Sequence, residues 1–210
     1  MINMHTKLID IDQELPIAIE LLASGQVIAF PTETVFGIGA DITNISACLD
    51  IYRIKSRDAG KPLSAHVSSI SMAESLLFQP SDMFYRLAEQ FLPGPLAIID
   101  RKNDTVSSQI TAGFDSISIR YPSNAVCLKL IEAYGKPIAA TSANISGEKS
   151  LSNSAEVFDK FSGIIPAVVV GECEIGTEST IISLVDTPKI LRIGAIPPEA
   201  IEECLKMKFQ

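Results

Sequence analysis

The sequence lacks several residue types on which common active sites depend. The 210 residues include no tryptophan, two histidines and four cysteines. With only His5 and His66, a histidine-rich metal site or a Ser-His-Asp triad is disfavoured. The cysteines form no C-x-x-C pair and are widely separated, at Cys48, Cys127, Cys173 and Cys204. Scattered cysteines of this kind are typical of inert thiols in a reducing compartment, so we predict a cytoplasmic protein without a resident metal.

Long hydrophobic runs and an excess of cations are also missing. The apolar runs fall far short of a membrane span, and the first residues do not resemble a signal peptide, so we expect no membrane association. The 17 lysines and arginines are outnumbered by 25 acidic residues, which gives a net charge of -8. A protein that follows nucleic-acid phosphates needs a basic surface, so this class is disfavoured. A local basic pocket for a small anion remains compatible with the composition.

Hydrophobic residues, by contrast, are plentiful at 47% of the chain. This content excludes a disordered protein, and the length suffices for a core without disulfides. We therefore predict a single domain over residues 1–210. Short β-branched runs alternate with helical patterns, which predicts an α/β (α+β) fold with a mixed sheet. Helices are predicted at 16–23, 45–55, 71–78, 81–91, 125–134, 154–161 and 198–207. Strands are predicted at 27–30, 63–67, 96–100, 116–120, 138–141, 167–170, 180–185 and 190–193, with the last two forming an antiparallel hairpin.

Two familiar nucleotide-binding patterns fail on inspection. The segment 147–150 lacks the glycine that a phosphate loop needs directly before its lysine. The segment 37–42 begins like a dinucleotide fingerprint but ends in Ile42 instead of glycine or alanine. No G-x-S-x-G motif occurs, so a hydrolase nucleophile elbow is unsupported.

Weaker polar clusters at strand and helix ends point to a pocket for a nucleotide and a small polar ligand. Alternation in the strand 116–120 puts Ser116, Ser118 and Arg120 on one face. The cations of the segment 55–61 surround a helix end, where they either compensate the helix dipole or clamp phosphates. Hydroxyls and an amide follow the strand 138–141, at an edge where α/β sheets often bind ligands.

Six short motifs occur in an order that resembles the YrdC/TsaC family of threonylcarbamoyl-AMP synthases. They are Pro31-Thr32-Glu33-Thr34-Val35-Phe36-Gly37, Lys55-x-Arg57, Pro93-Gly94-Pro95-Leu96, Ser118-Ile119-Arg120-Tyr121-Pro122, Ser142-Ala143-Asn144 and Ser179-Thr180-Ile181. The resemblance covers roughly residues 15–192. It implies the YrdC-like twisted sheet of parallel and antiparallel strands, flanked by helices around a large positive cavity. The extra C-terminal domain of longer members is not expected here.

The resemblance also implies an activity. Enzymes of this family join L-threonine, bicarbonate or CO2, and ATP into threonylcarbamoyl-AMP and pyrophosphate, a nucleotidyl transfer that supplies threonylcarbamoyladenosine for tRNA. The implied partners are these substrates, Mg²⁺ accompanying ATP, the downstream tRNA threonylcarbamoyl-transferase complex, and tRNA as a further candidate. Such chemistry needs positioning and cations facing phosphates rather than a covalent nucleophile.

The resemblance assigns individual residues to three sets. The basic and polar tetrad expected to be catalytic consists of Lys55, Arg57, Ser142 and Asn144. The positions expected to contact ATP are Arg57, Lys61, Ser116, Ala140, Ser142, Asn144 and Arg192. The positions expected to hold L-threonine are Thr34, His66, Arg120 and Ser179, with Arg120 as the partner of the carboxylate.

Two departures from the family pattern and two alternative functions remain at this stage. Asp58 follows Arg57 where the family usually has proline, and Asn124-Ala125 stands where it often has His-Pro. An acid beside the cations would weaken phosphate binding if it pointed inward. The alternatives are an RNA-binding or ribosome-maturation accessory protein, and a YciO-type paralogue with another substrate.

Overall fold

A computed structural model describes residues 5–209, and every strand in this range joins one twisted sheet. The strands are β1 (Lys7–Ile9), β2 (Ile28–Phe30), β3 (Gly37–Asp41), β4 (Ser64–His66), β5 (Leu96–Arg101), β6 (Ser116–Arg120), β7 (Ile138–Ser142), β8 (Ala167–Val169), β9 (Thr180–Ser183) and β10 (Lys189–Arg192). Their order across the sheet is β1-β8-β2-β3-β7-β4-β6-β5-β9-β10. The pairs β1–β8, β2–β8, β4–β6 and β5–β9 are parallel, and the other neighbours are antiparallel. The predicted mixed sheet is therefore confirmed.

Six of the seven helices in residues 5–209 begin where a polar side chain accepts a free backbone N–H. They are α1 (Ile11–Ala23), α2 (Ile45–Lys55), α3 (Ile70–Glu74), α4 (Asp82–Phe91), α5 (Ala125–Tyr134), α6 (Ser154–Phe161) and α7 (Pro198–Leu205). The residues that accept a first-turn N–H are Asp10, Asn44, Ser69, Ser81, Asn124 and Asn153. Since such caps contribute about 1 kcal/mol each, the local sequence defines where these helices start.

The predicted helices are all present, but three have bounds that differ by more than one residue. Helix α1 begins at Ile11 rather than residue 16, because Asp10 caps an earlier turn; a break at Glu14 separates it from the part that contains Pro16. Proline removes a backbone donor, so a break just before it is expected. Helix α3 covers only Ile70–Glu74 of the predicted 71–78, and α7 ends at Leu205.

Two strands were missed, and glycine explains one of them. Strand β3 contains two glycines in five residues, a composition that is depleted in strands. A Cβ at Gly39 would lie only 2.8 Å from the carbonyl oxygen of Ala139 on β7. The glycine is therefore required for the close approach of β3 and β7. The other missed strand, β1, has only three residues. The hairpin of β9 and β10 is confirmed as antiparallel.

The two faces of the sheet are covered by different helices. On one face α1 and α5 pack against a cluster that includes Leu22, Phe30 and Leu130. On the other face α2, α4, α6 and α7 pack against a larger cluster. The α1–α5 cluster draws its sheet residues from β1, β2, β7 and β8. Strands β4, β5 and β6 contribute no residue to it, so on this face their side chains are available for another purpose. The single-domain assignment for residues 1–210 stays a prediction.

Candidate functional site

The uncovered part of this sheet face forms the floor of a recess with a volume of about 360 Å³. Ala140 of β7, which belongs to the α1–α5 face, is in register with Ser64, and Ser64 is in register with Ser118. His66 and Arg120 form the next row. Register partners point to the same side of a sheet, so all five residues face the recess, as its lining confirms. The volume is at the lower end of the range for ligand pockets, and the predicted large size stays a prediction.

Loops between the elements build the walls of the recess. The wall and floor residues together are Thr32, Thr34, Val35, Phe36, Gly37, Arg57, Pro62, Ser64, His66, Ala97, Ile99, Ser118, Arg120, Ala140, Thr141, Ser142, Glu178, Ser179, Ile181 and Arg192. This lining contains three arginines and one glutamate, although the whole chain carries a net charge of -8. The recess is therefore a local cationic site, as the sequence predicted.

Arg120 lies at one end of the recess and is held on three sides. Its Nη1 donates to the carbonyl oxygens of Gly94 at 2.5 Å and Leu96 at 2.9 Å. Its Nη2 donates to Oε1 of Glu33 at 2.6 Å, and both side chains of this ion pair are about 5% exposed. A guanidinium has five N–H groups, so one on Nε and one on Nη2 remain without a hydrogen bond among the described residues. We call this region the Arg120 end.

His66 lies beside Arg120 and is uncharged at neutral pH. Complete burial, together with the positive charge of Arg120, lowers its pKa to about 3. Its ring packs edge-on against Phe30, with centroids 5.8 Å apart. Its Nδ1 is buried without a hydrogen-bond partner in the described part of the chain. A neutral imidazole can donate one hydrogen bond and accept another, so His66 offers a polar contact without adding charge.

Arg57 lies at the other end and forms no ion pair with a carboxylate within residues 5–209. Its Nε donates to the carbonyl oxygen of Lys61 at 3.2 Å, and its Nη2 donates to that of Pro62 at 3.1 Å. Pro62 precedes β4 and His66 is the last residue of that strand, so Arg57 and His66 lie at opposite ends of β4. We call this region the Arg57 end.

Lys55 and Asn144 lie behind the wall of the Arg57 end. The Lys55 ammonium donates to the carbonyl oxygen of Ser142, to that of Asn144 at 2.6 Å and to Oδ1 of Asn144 at 2.9 Å. The Ser142 hydroxyl also donates to this Oδ1, at 2.7 Å. Burial, and then the nearby charge of Arg57, lower the pKa of Lys55 to about 8. The lysine therefore fixes the chain segment that presents Ser142 to the recess.

The third arginine of the recess, Arg192, connects β10 to the segment that contains Glu178 and Ser179. Arg192 pairs with Glu178, and its Nη2 donates to Oγ of Ser179 at 3.1 Å. Oε1 of Glu178 accepts a hydrogen bond from the hydroxyl of Ser150 at 2.8 Å. Arg192 was assigned to ATP and Ser179 to threonine, so the two predicted substrate regions adjoin here.

The recess brings together most of the residues singled out from the sequence. The predicted residues that line it are Thr34, Arg57, His66, Arg120, Ala140, Ser142, Ser179 and Arg192. Lys55 and Asn144 lie directly behind it. The Lys61 side chain is exposed, and this residue contributes its carbonyl oxygen to Arg57 instead. Ser116 lies at the far end of β6, opposite Arg101, and does not reach the recess.

Both departures from the expected motif lie outside the recess lining and make other contacts. Oδ1 of Asp58 accepts a hydrogen bond from the backbone N–H of Gly60 at 2.9 Å, which caps a turn. Oδ1 of Asn124 caps α5, and its amide nitrogen donates to Glu174 at 2.9 Å. Neither residue lines the recess, so neither places a new group against a ligand.

Two glutamates at the site were not identified from the sequence. Glu33 holds Arg120, and Glu178 holds Arg192. Glu33 lies within the motif that begins at Pro31, and Glu178 directly precedes the motif that begins at Ser179, but only the folded chain pairs them with arginines. No cluster of three or more potential metal ligands occurs within residues 5–209. Over the same residues, no helix has the length and apolar character needed to cross a bilayer.

Comparison with known proteins identifies the family to which this fold and site belong. A family profile covering Sua5, YciO and YrdC proteins, described as "Telomere recombination", matches residues 20–194. The chain belongs to the Sua5/YciO/YrdC family. A threonylcarbamoyl-AMP synthase of Vibrio campbellii is 32% identical over 181 residues, which cover 84% of this chain and 96% of the relative. That of Pyrococcus abyssi is 39% identical over 194 residues, 91% of this chain and 57% of the relative.

Solved structures of the family agree with the fold. The structure of P. abyssi Sua5 complexed with L-threonine matches with a TM-score of 0.91 at 37% identity, covering 98% of this chain and 61% of that one. Escherichia coli YciO matches with a TM-score of 0.81 at 23% identity, covering 94% and 97% of the two chains, and supports the fold alone. The chain spans little more than half the length of the Pyrococcus relative and of a Bacillus subtilis relative, of which it covers 57% and 56%.

Proposed function

We propose that this protein is an L-threonylcarbamoyladenylate synthase, which makes threonylcarbamoyl-AMP and pyrophosphate from L-threonine, bicarbonate or CO2, and ATP. The observation that carries this proposal is the recess itself. It has a guanidinium with carbonyl contacts at one end and a buried, carboxylate-paired guanidinium at the other. Relatives named threonylcarbamoyl-AMP synthase support the same assignment.

The Arg57 end suits the polyphosphate of ATP. Arg57 contacts only neutral carbonyl oxygens there, so its charge is available to an anion. Planar guanidinium groups bind phosphate oxygens through two parallel hydrogen bonds. Ser142 and the backbone of Ala140 provide neutral polar contacts on the neighbouring strand. We assign Lys55 and Asn144 to holding this wall in place.

The Arg120 end suits the amino acid. The two free N–H groups of Arg120 can form a bidentate pair with the carboxylate of threonine. Thr34, His66 and Ser179 line the same end and offer hydroxyl and imidazole groups to the remaining polar atoms. The L-threonine complex of P. abyssi Sua5 supports an amino acid as the ligand of this fold.

The chemistry forms an N–C bond and a P–O bond, and it breaks an N–H bond, whose proton passes to solvent, and the P–O bond to the leaving pyrophosphate. The threonine nitrogen attacks the carbon of CO2 and loses a proton, which gives a carbamate. A carbamate oxygen then attacks the α-phosphorus of ATP, and the bond from this phosphorus to the bridging oxygen breaks to release pyrophosphate. The recess lining includes no nucleophile–base pair, so the residues act by orienting the two substrates and by stabilising charge.

We expect magnesium to arrive with ATP rather than to occupy a resident site. The lining offers one carboxylate, Glu178, which is already paired with Arg192. Mg²⁺ commonly uses one or two protein carboxylates and completes its shell with phosphates and water, so this donor set fits MgATP. When bound, the ion shares the negative charge of the phosphates.

The cellular setting is part of the same proposal. The four cysteines are free, which fits the reducing cytoplasm. An adenylated carbamate is an activated acyl donor, so its consumer must carry a nucleophilic amine. We propose that a tRNA threonylcarbamoyl-transferase complex takes it onward to tRNA.

Pyrophosphate release tests the function directly. The protein is incubated with ATP, bicarbonate and Mg²⁺, with and without L-threonine, and with L-serine as competitor. We expect release that depends on threonine and bicarbonate. Pyrophosphate release that does not depend on threonine would indicate a paralogue with another substrate. Salt-dependent tRNA binding without any release would support an RNA-binding accessory protein instead.

A further inference from the structure

Glu33 is a buried acid directly behind the wall of the recess. Because it does not reach the recess, it has no direct role in binding a substrate. It stands between Thr32 and Thr34, two residues that line the recess, but it is not itself part of the lining. The residue is 3% exposed. A carboxylate buried to this extent needs partners, because leaving it unpaired would strongly destabilise the fold.

The partners of Glu33 come from two separate segments of the chain. Oε1 accepts from Nη2 of Arg120 at 2.6 Å, and Oε2 accepts from the backbone N–H of Ser123 at 3.2 Å. The Glu33 carbonyl oxygen accepts from the backbone N–H of Ile175 at 2.8 Å. One residue therefore ties the loop after β2 to the end of β6 and to the chain that leads into β9.

The arrangement fixes the plane of the Arg120 guanidinium. The carbonyl oxygens of Gly94 and Leu96 hold Nη1, and Glu33 holds one N–H of Nη2. A planar group held at three points cannot rotate, so its free N–H groups on Nε and Nη2 point in one direction. Without Glu33, only the two carbonyl contacts at Nη1 would remain.

We infer that Glu33 is a positioning residue that fixes Arg120 for the carboxylate of the amino-acid substrate. It acts through Arg120 and does not touch the substrate. This inference rests on the proposed function and adds a residue to it. It also explains why the Arg120 end carries no net charge from its guanidinium: Glu33 compensates the arginine before the substrate arrives.

The test is Glu33→Gln in the full chain, assayed by threonine-dependent pyrophosphate release. Glutamine has nearly the same shape but only one acceptor oxygen, so it cannot satisfy both Arg120 and the N–H of Ser123. We expect the KM for threonine to rise roughly 10- to 100-fold, as misplacement of a binding group by about 1 Å can cause. The KM for ATP should stay within about twofold, because the Arg57 end is unchanged.

A matched control separates positioning from simple loss of stability. Asp41 is also a buried carboxylate, 5% exposed, that pairs with Lys136 at 3.1 Å and accepts from Tyr134 at 2.6 Å. It does not line the recess. Asp41→Asn should lower the melting temperature and leave the KM for threonine unchanged.

The outcomes are distinguishable. A wild-type protein without threonine-dependent release refutes the proposed function, and this inference is refuted with it. A wild-type protein with release refutes this inference alone if Glu33→Gln leaves the KM for threonine unchanged or raises both KM values equally. If Glu33→Gln does not fold, Glu33→Asp, which keeps the charge and both acceptors on a shorter stem, is judged by the same split between the two KM values.

Discussion

The two ends of the recess hold their positive charge in different ways. At the Arg120 end a carboxylate within 2.6 Å compensates the guanidinium, and both groups are buried. At the Arg57 end the guanidinium of Arg57 and the ammonium of Lys55 donate only to neutral oxygens among the residues that the structure describes. The difference suits the two proposed ligands, since a triphosphate needs uncompensated cations, whereas an amino acid needs one arginine held in a fixed orientation.

The largest expected effect is on folding, at the compensated end. Arg120→Ala should lower the free energy of unfolding by about 3–5 kcal/mol, because it leaves the Glu33 carboxylate buried and unpaired. It should also abolish saturation by threonine. Urea unfolding at pH 7 measures the first effect and pyrophosphate release the second. The control is Arg101→Ala, which breaks an exposed ion pair with Asp186 and should cost at most about 1 kcal/mol.

A loss of less than about 1 kcal/mol for Arg120→Ala would contradict the buried pairing. If stability falls as expected while threonine still saturates the enzyme at its wild-type concentration, Arg120 does not bind the carboxylate. The first result would remove the contrast between the two ends. The second would keep the contrast and move the amino acid elsewhere in the recess.

The same contrast marks the limit of what the sequence predicts. Alternation in β6 predicted that Ser118 and Arg120 share a face, because strand periodicity is a local property. The partner of Arg120 lies 87 residues away, and no local pattern reveals such a pair. Ser116 shows the converse: it shares that face, but the recess ends before it, since the walls come from loops remote in sequence.

Strand prediction failed for a related reason. The segment Gly37–Asp41 is a central strand because Gly39 allows β7 to approach closely, a tertiary requirement that lowers the local strand propensity. Helix starts, by contrast, were predicted to within one residue for α4 and α5, where the cap and the apolar spacing are both local. The resemblance to a family supplied most site residues, and the two glutamates that orient the arginines were not among them.

At the Arg57 end, the buried lysine predicts a pH dependence of stability. The folded-state pKa of Lys55 is about 8, below the ordinary value of 10.5. Between these pH values the unfolded chain binds the extra proton, so stability from this group rises with pH and is lost as pH falls through 8. Lys55→Met removes the group, so its destabilising effect should grow by roughly 2–3 kcal/mol between pH 8 and pH 10.5.

Urea unfolding of wild type and Lys55→Met at several pH values in this range measures the difference. The pH-independent cost of leaving the oxygens of Ser142 and Asn144 without a donor appears at every pH and does not alter the slope. Parallel curves for the two proteins would mean that the ammonium is not desolvated. Lys55 would then be a solvated or acid-paired cation, and the contrast between the two ends would depend on Arg57 alone.

Arg57 itself should affect ATP more than folding. Arg57→Ala removes a half-buried guanidinium with two carbonyl contacts, so we expect a loss of stability of about 1 kcal/mol or less. The affinity for ATP should fall at least tenfold, which corresponds to about 1.4 kcal/mol. Isothermal calorimetry with a non-hydrolysable ATP analogue and Mg²⁺ gives this value. Arg53→Ala, on the same helix but on its exposed side in an ion pair with Asp50, should leave it unchanged.

The smallest effect is an expected absence of titration at the Arg120 end. Because burial and the Arg120 charge lower the pKa of His66 to about 3, its imidazole should stay neutral from pH 7 down to pH 5. The unfolded chain binds the proton in the interval between pH 6.5 and 3, so this group's contribution to stability is present above pH 6.5 and is lost as pH falls toward 3.

The chain has one other histidine, His5, so NMR of histidine-labelled His5→Gln protein shows a single imidazole. A resonance that moves with a midpoint near 6.5 would mean that His66 is solvated and carries charge beside Arg120. The compensation of that end by Glu33 would then be incomplete, and a cation-rich pocket would replace the neutral one proposed for threonine.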